Sequence, residues 1–347
     1  MSGKLKKAAV SFGLPRIIIL SFLLVLVILL PVLGLQIDML ADQALTRIGM
    51  NGILVLAMVP AIESGVKMNF ALPLGIVCGL LGGALSLEFG INGAGGFITA
   101  IVIAVPLAVF VGYLYGKVLN RIKGSEMMIA TYVGFSAVSL MCIGWLVLPV
   151  KNPEIRWPQG HGLRTMTVLS GKYEKILDNF LAIRITEELS IPTGLFLFFF
   201  LACLLVWLFC RSHLGIMMKA GGANPSFARA TGIDVDRTRI LGMILSTVLG
   251  AVGIIVYAQS YGFYQYYNAP LMMAFSAVAS VLIGGASGSH ATIFHAVLGV
   301  VMFQAILTFT LPIANVIVPD GNLSEIVRII VSNGIILYAL TKAGGNR

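Results

Sequence analysis

Residues 189–210 read LSIPTGLFLFFFLACLLVWLFC, 22 consecutive positions without Asp, Glu, Lys or Arg. A helix rises 1.5 Å per residue, so about 20 apolar residues cross roughly 30 Å of hydrocarbon. This stretch therefore has the length and composition of one membrane span. Working outward, Ile17–Ile37, Met68–Leu87, Phe89–Gly116 and Met127–Val150 are equally free of charge, and the uncharged run Ile240–Pro319 is 80 residues long. That run must hold several helices, with breaks at Gln259–Pro270 and at Gly284-Gly285-Ala286-Ser287-Gly288. The whole chain of 347 residues is 58% hydrophobic and 11% charged, with a mean hydropathy of +0.98. So little charge cannot cover a soluble domain of this size, and the solvent it implies is lipid.

Lipid offers no hydrogen bonds to a backbone, so spans are packed helices or closed barrels. The alternating ten-residue segments of a barrel are absent. The expected fold is an all-α polytopic membrane protein, one transmembrane domain over residues 1–347. It has about ten helices, near 15–35, 48–64, 70–87, 95–117, 126–149, 191–210, 239–258, 270–286, 291–311 and 324–341. The second is short of apolar length, with Arg47 and Glu63 at its ends and Arg47 snorkelling outward. The tenth takes Arg328 into its first turns. The basic start MSGKLKKAAVSFGLPR leads into a run too long for a typical signal peptide, and is expected to open an uncleaved first helix.

Charge asymmetry orients these helices. With the N-terminus inside, the inner loops gather 15 Lys and Arg against four acids, and the outer loops eight against ten. Both termini then lie in the cytoplasm, residues 151–188 form an extracytoplasmic segment, and residues 211–238 form a cytoplasmic loop. The net charge of +9 reports this topology and calls for no nucleic-acid partner. In the outer segment Ile176, Leu177, Phe180, Leu181 and Ile183 have helical spacing, which predicts an amphipathic surface helix. Cys78, Cys142, Cys203 and Cys210 fall in apolar runs without metal spacing and read as packing residues.

The inner loop carries KAGGANPSFARATGID, Lys219–Asp234. Gly221-Gly222 predicts a turn, Asn224-Pro225 a helix start, Ser226–Thr231 a short helix and Gly232 its stop. The string from Gly222 through Asn224, Pro225, Phe227, Ala228 and Arg229 to Gly232-Ile233 resembles the cytoplasmic loop of ABC-importer permeases of the ribose and branched-chain amino acid class. That loop reads G-x-N-P-x-A-A-x-x-x-G-I, and Phe227 stands here where the first alanine is usual. Leu282-Ile283-Gly284-Gly285 resembles the same family's apolar-Gly-Gly turn, and Gly124–Thr131 the start of its fifth helix.

The resemblance implies a type II importer-like permease subunit in the bacterial inner membrane. Its loop, through Gly222, Asn224, Pro225, Phe227, Ala228, Arg229 and Gly232, would couple to a separate ATP-binding-cassette ATPase that uses ATP and Mg. It further implies a second permease chain, identical or similar, and an extracytoplasmic substrate-binding protein, which the outer segment could help dock. This chain itself has no G-x-x-x-x-G-K-[ST] and is expected to bind no cofactor or metal.

Candidate path residues are Asn51, Gln259, Tyr261, Tyr264, His295 and Gln304. The rings between Gln259 and Asn268 would either stack on a solute or form an interfacial aromatic belt. Asn51 and Gln304 face either a pathway or a neighbouring helix. His290 and His295, without carboxylates or thiols at ligand spacing, suit hydrogen bonding better than a metal, and Glu126 suits a helix N-terminus. The solute class is a sugar, a nucleoside or a related small polar molecule, with branched-chain amino acids and a flavin behind them. The alternative is an ion-coupled secondary transporter, which would place ionisable groups at midplane. An enzyme would need a catalytic cluster that four scattered histidines do not supply.

Overall fold

The computed structural model describes residues 14–122, 124–158, 160–267, 269–317 and 321–344. Most of the basic start, and Asn268 of the polar-aromatic stretch, lie outside them. Each expected hydrophobic segment coincides with a helix. The first half holds α1 (Leu14–Val32), α2 (Ile37–Leu56), α3 (Met58–Ala61), a π-helical turn (Ile62–Val66), α4 (Leu72–Glu88), α5 (Gly93–Arg121) and α6 (Glu126–Val147). Next come β1 (Met166–Val168), α7 (Ile176–Asn179), β2 (Ile183–Arg184), β3 (Ser190–Ile191) and α8 (Thr193–Arg211). The rest is α9 (His213–Ala223), α10 (Pro225–Ala230), α11 (Val235–Tyr261), β4 (Phe263–Gln265), α12 (Ala269–Ile283), α13 (Ile293–Ile317) and α14 (Gly321–Gly344). Among the described residues six continuous stretches are long and apolar enough to cross a membrane: Ile37–Val66, α5, α6, α8, α11 and α13. Helices α1, α4 and α12 contain shorter apolar stretches.

The second helix begins at Ile37, well before the expected residue 48. Its extra turns carry Asp38 and Asp42, which the sequence places outside a span. Both are bonded across to the chain before α8: Asp42 Oδ1 accepts from Ser190 N (2.9 Å) and Ser190 Oγ (2.8 Å), and Asp38 Oδ2 from Thr186 Oγ1 (3.3 Å). Helix α14 takes Arg328 inside, paired one turn back to Glu325 (Nε to Oε2, 2.8 Å).

The amphipathic surface helix expected around residue 180 is a single turn. Leu181 has a φ of +53°, which an L-residue cannot hold within a helix, and Ile183–Arg184 leaves as a strand paired with Ser190–Ile191. The other strand pair, β1 with β4, sets Thr167 opposite Tyr264. It fastens the 151–188 segment to the end of α11.

Helix α11 packs along α5, α4 and α2. Burial ranks the spans: 78% of the most apolar stretch of Ile37–Val66 is enclosed within the bundle, against 17% for α6, so the former is central and the latter lies on the rim. Small residues set the contacts. A Cβ added at Gly75 would lie 2.3 Å from the Thr247 carbonyl oxygen, and one at Gly79 at 2.3 Å from that of Ala251. Without a hydrophobic force between helices in lipid, such close backbone approach supplies the attraction. Gly75→Ala should therefore cost about 1–3 kcal/mol and lower the Tm of the detergent-solubilised protein. In the same assay Gly334→Ala, which meets nothing within 4 Å, should leave Tm unchanged or higher.

Candidate functional site

The insert folds as two helices. Ser212 caps α9, its Oγ accepting from Gly215 N at 3.3 Å, and Asn224 caps α10, its Oδ1 accepting from Phe227 N at 3.0 Å. Pro225 takes the first helical position, as its fixed φ favours. Gly232 ends the unit at a φ of +84°, and Ile233 N reaches back to the Ala228 carbonyl at 2.9 Å. Asp234 then caps α11 by accepting from Arg237 N at 3.1 Å. Ala228 is fully buried while its neighbour Phe227 is 63% exposed, and Arg229 lies 3.8 Å from Asp236. So α10 is held from below and shows an apolar ring above.

Gly221-Gly222 is not the expected turn. Both residues are inside α9, and the reason they are small is contact. A Cβ at Gly221 would meet Thr238 Oγ1 at 2.9 Å, and one at Gly222 would meet the Glu63 carbonyl oxygen at 2.2 Å.

Beneath the insert, Arg239 of α11 donates from Nη2 to Glu126 Oε1 of α6 at 2.8 Å, both side chains being nearly buried. Glu126 therefore ties two helices together at the level where α11 begins, besides lying in the first turn of α6. Asn120 Nδ2 of α5 donates to the Asp236 carbonyl at 2.7 Å. Two spans, α5 and α6, thus meet the start of α11 through polar groups. Neither Arg239 nor Glu63 stood out in the sequence beyond its charge, because each partner is remote along the chain.

The opposite end is separated from this one by the length of α11, 27 residues or about 40 Å. Gln259 is buried there with its amide fully engaged: Oε1 accepts from Leu177 N (3.2 Å), and Nε2 donates to Ser260 Oγ (2.6 Å) and Asp178 Oδ1 (3.3 Å). Tyr264 is buried against Gly83, its hydroxyl accepting from Tyr173 (3.2 Å). Tyr266 packs on Trp145, whose Nε1 donates to the Tyr266 carbonyl at 3.1 Å. The rings of Tyr264 and Tyr266 seal the 151–188 segment onto the bundle rather than forming an aromatic belt. Of these rings Tyr261 is the exposed one, tilted against both Tyr257 and Phe263.

The remaining path candidates lie apart. Asn51 donates from Nδ2 to the Arg47 carbonyl one turn back. Gln304 is buried midway along α13. His295 Nδ1 accepts from Thr292 N at 3.3 Å, in the first turn of α13. No hydrogen bond or ring contact joins any two of the six among the described residues. Nor do three His, Cys, Asp or Glu gather there as metal ligands would. The four cysteines are free thiols, three of them buried.

A family described as "Branched-chain amino acid transport system / permease component" matches residues 40–339. The chain is 24% identical over 193 residues to the nucleoside ABC transporter permease protein NupB of Lactococcus lactis, covering 53% of this chain and 51% of that one. It is 32% identical over 122 residues to the probable ABC transporter permease protein YphD of Escherichia coli, 35% and 36% of the two chains. Over 136 residues it is 32% identical to the autoinducer 2 import system permease protein LsrC of Klebsiella pneumoniae, 34% and 39%. The chain thus spans about half, or less, of the length of these curated relatives.

Two outcomes follow from the buried charges. Arg239→Met alone leaves Glu126 buried without its partner and should cost about 3 kcal/mol. Adding Glu126→Leu should recover most of the lost Tm. At the other end, burial pushes the Asp178 carboxyl above its usual range, against the pull of Ser260, Gln259 and Lys175, with Asp42 adding to the rise. A carboxylate raised in the folded state stabilises below its unfolded value, about 3.9, and that contribution is lost as pH rises through the folded value. Asp178→Asn keeps an acceptor for Ser260 Oγ, so a pH series of Tm should fall less steeply in the variant above about pH 4.

Proposed function

Because the chain belongs to the branched-chain amino acid transport permease family, we propose that it is the membrane-spanning subunit of an ATP-binding-cassette importer. It forms the path for a sugar, a nucleoside or a related small polar solute. Ten spans cross the bacterial inner membrane with both termini in the cytoplasm. Residues 211–238 are the cytoplasmic coupling loop, and residues 151–188 face the substrate-binding protein. A second permease chain, identical or similar, completes the path. Mg-ATP is bound and hydrolysed by the separate ATPase subunits.

The carrying observation is the build of α10. Its ends are capped, Ala228 is buried beneath it, and Phe227 stands 63% exposed beside Arg229. An exposed ring on a short rigid helix at a bundle end is costly in water and suits a groove on a partner. Movement of that partner then acts on α10 as a lever rather than on a slack loop. The substrates named for the relatives, a nucleoside and autoinducer 2, favour a polar solute over a branched-chain amino acid. An ion-coupled mechanism has no observation in its favour. Among the described residues the buried carboxylates Glu63 and Glu126 both have partners and both lie at the insert end.

Tested in proteoliposomes with the ATPase subunit and the binding protein, Phe227→Ala should weaken ATPase-subunit association by about thirtyfold, an aromatic anchor being worth about 2 kcal/mol. Uptake should fall with it while the Tm of the permease holds. Ala228 is the wrong position for such a test, since a charge there would be buried. Wild-type association and uptake in Phe227→Ala would overturn the assignment of α10.

A further inference from the structure

The last turns of the second span are irregular. After α3 the chain makes one π-helical turn, Ile62–Val66, closed by Gly65 at a φ of +81° and Lys67 at +63°. Such turns are rare and strained positions persist only where the surroundings enforce them. Glu63 lies in this turn and is 5% exposed.

Glu63 faces two elements at once. On the backbone side it meets the insert: an added Cβ at Gly222 would sit 2.2 Å from the Glu63 carbonyl oxygen and 2.8 Å from Gly65 N. One at Gly65 would sit 2.9 Å from the Gly222 Cα. Two bare backbones therefore touch, two residues before the Asn224 cap of α10, with no side chain between them to give way. On the side-chain side Oε1 accepts from Ala291 N at 2.9 Å and pairs with His290 Nδ1 at 2.8 Å. Ala291 lies two residues before α13. The loop it ends is held at its other end by Arg16 Nη2, which donates to the Gly285 carbonyl at 2.7 Å.

We propose that Glu63 is a positioning residue that passes displacement of α9–α10 to the start of α13. The proposal rests on the coupling role assigned to α10 above. Close-packed backbone transmits a push without loss, and a carboxylate accepting a buried N–H is a directional tether that a hydrophobic contact is not. The path runs from Gly222 through the π-helical turn and Glu63 Oε1 to Ala291 N. It joins elements about 70 and 230 residues apart in the chain without passing through α11.

The test uses the assembled transporter in vesicles, with uptake and ATP hydrolysis measured together. Glu63→Ala should lower uptake per ATP hydrolysed by about tenfold, within the ~5–150-fold range of energetic couplings. Glu63→Gln, which keeps an acceptor for Ala291 N–H, should restore most of it. A merely structural residue would not move that ratio. In the wild type, trapping with Mg and a non-hydrolysable ATP analogue should change hydrogen exchange at the Ala291 amide. No change there would overturn the proposal whether or not Glu63→Ala folds. So would wild-type uptake per ATP in a folded Glu63→Ala that retains its ATPase subunit. If Phe227→Ala binds the ATPase subunit and transports normally, the α10 reading fails instead, and the two failures are told apart.

Discussion

Helix α11 can occupy the middle of the bundle only because α4 brings bare backbone to it at Gly75 and Gly79. Water is absent from the hydrocarbon, so apolar side chains gain nothing by leaving lipid for each other. What remains is close contact, and close contact between helices needs residues that take no room. With α4 and α5 seated on α11, the second span completes the centre, and α6 is left on the rim. The two ends of α11 then become the places where its contacts with charged groups are resolved.

They are resolved differently. At the insert end the buried carboxylates are partnered: Glu126 by the buried Arg239, and Glu63 by the Ala291 amide and the exposed His290. The first ties α6 to α11, and the second ties the π-helical turn to the loop before α13. At the opposite end Gln259, Ser260 and Asp178 are hydrogen-bonded to one another, and Tyr173 and Tyr264 form a separate hydroxyl pair. That end is built as a plate.

Much of this was legible in the residues. Every hydrophobic segment expected from charge-free length met a helix, and the short helix after Asn224-Pro225 was displaced by one residue only. Capping chemistry is local, so Asn224, Pro225 and Gly232 carry their own explanation. The misreadings share a cause. Gly221-Gly222 looked like a turn because glycine permits one, but these glycines answer to Glu63, about 160 residues earlier. The 176–183 stretch had helical spacing, yet strand pairing and the left-handed Leu181 broke it after one turn. Asp38 and Asp42 argued for a late start to the second span, and Ser190 and Thr186 removed the objection.

Sequence alone determined the solvent, the helical class, the places of the apolar helices apart from the early start of the second, and the capped helix of the insert, because lipid and local hydrogen bonding act on contiguous residues. Only the tertiary structure decided which charges are paired, which rings are sealed away and which glycines are contacts. Those depend on partners brought together by packing, and Glu63 between Gly222 and Ala291 has no signature along the chain at all.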